Sequence, residues 1–150
     1  MARLPRCDGT PTARKTPVYS RTDTHWNAHG AFIGYQVLAD QLERSVPIRR
    51  VAKDSLGLRE FQQAGDLGLK LTPERASLQA RYELEDRRRH FAATNGRFGV
   101  GRMIAFGCGE APDTRCVLFG DSAAAWTSPP LSASFRRLVI AYDSAWTSSS

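Results

Sequence analysis

Apolar residues recur at helical spacing through Ala28, Phe32, Tyr35, Leu38, Ala39 and Leu42, directly after Asn27, whose side chain suits an N-cap. The pattern predicts a helix running to about Arg44, before Val46-Pro47, with Pro17-Val18-Tyr19 as a short strand leading in. The period then changes. Leu78-Gln79-Ala80-Arg81-Tyr82-Glu83-Leu84-Glu85 alternates apolar and polar residues, the mark of a half-buried strand. Thr72 followed by Pro73 offers a competing helix start, but the alternation favours strand over most of 78–84. Asn95-Gly96 is a hairpin dipeptide, and Val100, Met103, Ile104 and Phe106 after it predict a further strand. Pro112-Asp113 breaks the chain before Val117-Leu118-Phe119, a short apolar run that reads as a buried strand. Gly120-Asp121-Ser122 ends that run, and Ala123-Ala124-Ala125-Trp126 opens a helix that Ser128-Pro129-Pro130 interrupts. Leu138-Val139-Ile140-Ala141-Tyr142 reads as a last strand. Strands and helices in this order predict an α/β fold, with the middle of the chain as a β-rich insertion flanking the site.

Two of these boundaries carry chemistry. Asp23 and His25 are two apart on a segment just before the first helix, so an extended chain projects both to one side. Ser122 lies at the strand-to-helix turn, at the carboxyl end of its strand, where open α/β sheets place their ligands. Together they supply a hydroxyl, an imidazole to deprotonate it and a carboxylate to orient the imidazole, the set that nucleophilic acyl transfer needs. Each motif alone is common: Asp-x-His arises by chance, and Asp121 or Ser122 can serve simply as a helix cap. Trp26 reads as a core aromatic beneath the loop, His29 as an exposed helix residue and minor rival for the base, and His90 as solvated.

Tyr19-Ser20-Arg21-Thr22-Asp23-Thr24-His25-Trp26-Asn27, followed by Gly30-Ala31, resembles the Asp-x-His block of the AlgX/AlgJ-type SGNH hydrolase-like proteins, the alginate and exopolysaccharide O-acetyltransferases. Gly65-Asp66-Leu67-Gly68 with Lys70-Leu71 is similar to a second segment of that group, and Val117 to Ser122 matches its nucleophile block. The order Asp, His, Ser is also that of the group. The resemblance spans Val18 to Tyr142. It implies an SGNH-type fold, a mainly parallel sheet flanked by helices. Ser122 is then the nucleophile, His25 the base and Asp23 its orienter, with Gly120, Asp121 and the Ser122 amide near the oxyanion. Tyr19 and Arg21, in the first block, become candidates for substrate contact. The sequence departs from the family at Ala123, where a large residue is usual, and shows no Gly-x-Asn-Asp oxyanion block. Asn95 suits a hairpin better than that role.

The resemblance further implies O-acetyl transfer to a polysaccharide hydroxyl through an acetyl-serine. The acceptor polymer would be anionic, and a membrane-bound O-acyltransferase would supply the acetyl group. An acetyl esterase with the same triad and an inactive carbohydrate-binding remnant are the alternatives. Family resemblance places the protein in the periplasm or cell envelope. The sequence itself shows no signal-peptide h-region and no apolar stretch of transmembrane length. No cofactor is needed for serine acyl chemistry. No metal is implied, because Cys7, Cys108 and Cys116 fit no zinc spacing. Cys108 and Cys116 flank Pro112-Asp113 and could pair across a hairpin in an oxidising compartment, with buried free thiols the simpler expectation.

Composition adds bounds. At 150 residues and 41% hydrophobic, the chain suits one domain with a modest core. We expect an irregular segment over 1–16, the domain over 17–143, truncated at both ends, and a tail over 144–150. Net charge is +6, with Arg49-Arg50 and Arg87-Arg88-Arg89 the densest clusters. A solvated face accounts for them more simply than attraction of an anionic polysaccharide. A nucleic-acid module with interleaved aromatics is not visible, so no nucleic-acid partner is expected.

Overall fold

The computed structural model describes residues 16–84, 90–95 and 101–142. Its first helix, α1 (Ala28–Leu42), starts where the Asn27 side chain accepts from the Gly30 amide, so the N-cap and the apolar spacing agree. Phe32, Tyr35 and Ala39 lie on its buried face. The strand expected at Pro17-Val18-Tyr19 is only a single antiparallel bridge, Tyr19 to Trp26, which closes the intervening loop.

Two antiparallel strands follow, β1 (Leu56–Gln63) and β2 (Ser77–Leu84), paired from Leu56↔Leu84 to Gln63↔Ser77. β1 was hidden from periodicity because most of its side chains are exposed. The helix that Thr72-Pro73 might have started does not form. That peptide is cis and leads into β2 instead.

The main sheet contains β3 (His90–Thr94), β4 (Arg102–Cys108), β5 (Arg115–Gly120) and β6 (Arg137–Tyr142), in the order β3-β4-β6-β5. Among the described residues only β5 and β6 are parallel; β4–β6 and β3–β4 are antiparallel. The expected mainly parallel sheet is therefore one parallel pair with an antiparallel flank. A parallel pair needs a long crossover, and only the stretch between β5 and β6 supplies one, through α2 (Ser122–Trp126) and α3 (Ser128–Ser134). The interruption at Ser128-Pro129-Pro130 is real, but proline at the first positions of α3 starts a new helix there. The β-rich middle of the chain divides: β1–β2 form a separate two-stranded sheet, with Gln79 of β2 reaching Asp23, whereas β4 is bonded to β6 within the main sheet. The strand expected after Asn95 is β4; its partner before Asn95, β3, is not among the expected strands. Asn95 ties the end of the pair through Gly101 and Met103, while residues 96–100 fall outside the described residues.

The core lies between α1, α3 and the inner face of β6, where Tyr35, Leu131, Phe135, Leu138 and Ile140 are almost completely buried. Val117-Leu118-Phe119 forms a strand but not a buried one. β5 is a sheet edge: Cys116 and Leu118 face the core, whereas Val117 is 58% and Phe119 79% exposed. Cys108 and Cys116 are free thiols, Cys108 buried. They sit on strands either side of β6, roughly two strand spacings of ~4.8 Å apart, too far to bridge. Burial pushes the Cys116 thiol up. Cys7, the Arg87–Arg89 run, the segment before Thr16 and the tail after 142 fall outside the described residues. Among the described residues no helix is long and apolar enough to cross a membrane.

Candidate active site

The loop between Tyr19 and Trp26 carries Asp23 and His25. Its two ends are held by the Tyr19–Trp26 bridge, by Trp26 Nε1 donating to the Tyr19 hydroxyl at 3.0 Å, and by the Asn27 amide donating to the Val18 carbonyl. The indole of Trp26 lies against Gly34 of α1, where a Cβ would come within 3.0 Å of the ring. Trp26 thus supports the loop from beneath. The Asp23–His25 stretch is bent rather than extended. Asp23 Oδ1 accepts both the His25 amide at 2.9 Å and His25 Nδ1 at 2.6 Å. One oxygen thus closes an Asx-type turn and contacts the imidazole ring at once.

An ionised carboxylate only accepts, so Nδ1 carries the proton and Nε2 presents its lone pair. Nε2 lies 2.8 Å from Ser122 Oγ, across 97 residues of sequence. Asp23, His25 and Ser122 thus form one continuous hydrogen-bonded line. Asp23 is 9% exposed, and its second oxygen accepts from Gln79 Nε2 at 3.1 Å.

Ser122 stands at the first position of α2, immediately beyond β5. Asp121 is the N-cap: its carboxylate accepts from the Ala123 amide at 2.9 Å and its carbonyl from the Ala124 amide. That cap leaves out the Ser122 amide, one of the leading N–H groups that a helix cannot satisfy itself. Gly120 packs close behind, where a Cβ would lie 3.1 Å from that of Ala124.

Residues outside the expected set complete the surroundings. Trp126, one helical turn past Ser122, stacks on the His25 ring with centroids 5.6 Å apart, and the Arg81 guanidinium lies 4.6 Å over the indole. The four-residue spacing from Ser122 was the available signal for Trp126. Gln79 and Arg81 share one face of β2 and both reach the site; nothing in the local sequence marks a strand's polar face as facing a carboxylate rather than water. Asp66 accepts from the Thr24 amide at 2.8 Å and from the Thr24 hydroxyl. Desolvation pushes the Asp66 carboxyl up, but the Thr24 hydroxyl and amide, the Leu67 amide and the nearby His25 outweigh it and hold it below the usual value.

Asp23, His25 and Asp66 bring ligand atoms within 4.8 Å of one another, the spacing of a metal site. Their atoms are already taken up by His25, Gln79, Thr24 and Ser122, and the cluster reads as a hydrogen-bonded network. Tyr19 and Arg21 line a separate groove of about 930 Å³ with His29, Leu58, Arg75 and Leu78, to which neither His25 nor Ser122 contributes. Arg49 pairs with Glu110, and Arg50 with Asp40 and Glu43, so both cations of that cluster have partners of their own. The Asn95 side chain is spent on its hairpin.

Among curated proteins none matches the sequence. Solved structures share the fold. A DHHW family protein from Eubacterium siraeum superposes with a TM-score of 0.66 at 14% identity, over 83% of this chain and 50% of its own. PatB1 of Bacillus cereus gives 0.60 at 19% identity, over 82% and 53%, and its form with a sulfonyl adduct gives 0.61 at 19%, over 83% and 51%. The chain spans about half the length of these proteins. The model of the SGNH hydrolase-like domain of the acetyltransferase AlgX matches residues 1–139. With nearly its whole length under that match, the chain belongs to the AlgX family of SGNH hydrolase-like domains.

Proposed function

We propose that the protein transfers an acetyl group to a polysaccharide hydroxyl through an acetyl-Ser122 intermediate. The observation that carries this reading is the unbroken line from Asp23 Oδ1 through His25 to Ser122 Oγ, at 2.6 and 2.8 Å. These are the separations at which a base takes a hydroxyl proton as the oxygen attacks.

Ser122 Oγ attacks the acetyl carbonyl of the donor and its proton passes to His25 Nε2. Asp23 stabilises the resulting imidazolium through Nδ1–H, and the Ser122 amide meets the developing oxyanion. His25 then returns the proton to the leaving oxygen, which departs and leaves acetyl-Ser122. An acceptor hydroxyl next gives its proton to His25 and attacks the ester. The tetrahedral intermediate collapses as His25 Nε2 returns that proton to Ser122 Oγ, which releases the acetylated sugar and restores the free serine and neutral imidazole. Trp126, stacked beside His25 at an interplanar angle of 27°, restricts the ring to the orientation that serves both steps. The donor would be delivered by a membrane-bound O-acyltransferase in the cell envelope.

Family membership supports acyl chemistry, and the sulfonyl adduct of PatB1 is the kind of product an activated nucleophile forms. An esterase would use the same residues with water as acceptor. We expect Ser122→Ala to remove acetyl-ester turnover by several orders of magnitude while the fold persists. Measurement with a small acetyl ester, then with a sugar oligomer added, checks both points. A folded Ser122→Ala protein that keeps its rate would end the assignment, and acetate as sole product would make the protein an esterase.

A further inference from the structure

The turn Gly65-Asp66-Leu67-Gly68 takes no part in the chemistry above, yet it meets every residue from Thr22 to Thr24. The Leu67 and Gly68 amides both donate to the Thr22 carbonyl, at 3.1 and 3.0 Å. Gly65 lies flush against Asp23: a Cβ there would sit 2.3 Å from the Thr22 carbonyl oxygen and 2.6 Å from Asp23 Oδ2. Asp66 holds Thr24, the residue between Asp23 and His25, by both its amide and its hydroxyl. From the other side Ser77 Oγ and Thr22 Oγ1 are 2.7 Å apart.

We propose that this turn sets the geometry of the base, with Asp66 as its positioning residue. The bend that lets one Asp23 oxygen accept both the amide and the ring N–H of His25 requires Thr24 to be fixed. A bent loop on a protein surface has no intrinsic reason to stay bent, since ordering each residue costs backbone entropy. Asp66 supplies that restraint from 42 residues away in sequence. A side chain with two acceptor oxygens suits a partner offering an N–H and an O–H. The small residue at 65 then lets the clamp close on Asp23 without displacing its carboxylate. Asp66 hydrogen-bonds Thr24 and neither His25 nor Ser122, so beyond the field of its carboxylate on the nearby imidazole it acts through Thr24.

The kinetic side of this inference rests on the acyl-transfer reading, so its test pairs a kinetic readout with one that needs no turnover. Asp66→Ala should lower kcat for an acetyl ester by about 10- to 100-fold, the scale of a misplaced base, with KM within about twofold. Asp66→Asn, which can still accept from the amide while its NH2 donates to the threonine oxygen, should recover most of the rate. In the Asp23→Asn background Asp66→Ala should cost little more, because both act on one element. Full multiplicativity of the two losses, or a kcat within twofold of the parent in Asp66→Ala, overturns the proposal. The second readout is the downfield proton resonance of His25 Nδ1–H. It should be seen in the parent and in Asp66→Asn and be broadened by exchange in Asp66→Ala. An unchanged resonance in Asp66→Ala also overturns it. Loss of the resonance in a protein whose parent turns over no ester would uphold the positioning and sink the acyl-transfer reading alone. Should Asp66→Ala fail to fold, Thr24→Val, which removes only the hydroxyl, must show the same loss at smaller size.

Discussion

The two halves of the site are held by different means. Asp23 and His25 sit on a bent loop that makes long-range polar contacts at Thr22, Asp23 and Thr24, with Asp66, Leu67, Gly68, Ser77 and Gln79. Ser122 has no such network. It is placed by the end of β5 and the start of α2, with Asp121 capping the turn. Its strand is a sheet edge, with Phe119 and Val117 open on the outer face. A nucleophile needs one point in space, and the junction of two regular elements supplies it. A base must also hold a tautomer and a ring orientation, and a loop achieves that only through cross-links to other parts of the chain.

The sharpest way to break this contrast is at Asp23. In Asp23→Asn one amide oxygen remains for three donors, the His25 amide, His25 Nδ1 and Gln79 Nε2. If Gln79 draws that oxygen, the NH2 faces His25 and favours the wrong tautomer; in either orientation the imidazolium loses its counter-charge. We expect kcat to fall on the order of 10⁴, as at the equivalent position of serine proteases, with KM nearly constant. A rate within a few-fold of the parent would reduce Asp23 to a loop-shaping residue and the site to a Ser–His pair.

Paired glycine substitutions compare the halves next. Gly65→Ala has no room, with three atoms of Thr22 and Asp23 within 2.6 Å of the new Cβ. The loop must move, and the expected cost is roughly 1–3 kcal/mol in stability, together with loss of most activity. Gly120→Ala meets only the Ala124 side chain at 3.1 Å and should cost less than about 1 kcal/mol. Denaturant midpoints and ester turnover for both proteins decide the matter. Equal effects would mean that the nucleophile turn is packed as tightly as the base loop.

The smallest effect belongs to the cap. Asp121→Ala removes the acceptor for the Ala123 amide, and caps of this kind are worth about 1 kcal/mol. Because α2 is five residues long, we expect the loss to appear as a modest fall in Tm and a several-fold lower kcat. Thermal unfolding alongside turnover checks it, and a loss as large as that of Asp23→Asn would show that Asp121 does more than cap.

Much of this molecule follows from nearest-neighbour rules. The helix from Ala28, its Asn27 cap, the turn around Ser122, the break at Ser128-Pro129-Pro130 and the strand after Asn95 all depend on spacing and capping within a few residues, so the sequence alone determines them. The same rules singled out Asp23, His25 and Ser122, but not the distance between them. Only the tertiary structure decided that β6 lies between β4 and β5, separating Cys108 from Cys116 and leaving Val117 and Phe119 exposed. It also decided the face of β2. Alternation there suggested apolar residues inward and polar residues outward, and Ala80, Tyr82 and Leu84 do pack on the core, yet Leu78 is 55% exposed and Gln79 only 3%. Periodicity reports which side chains share a face; it carries no information on whether that face meets water or a buried carboxylate 56 residues away. The contacts that bend the Asp23–His25 loop are of that second kind, made between groups brought together by chain topology, and so they exist only once the fold does.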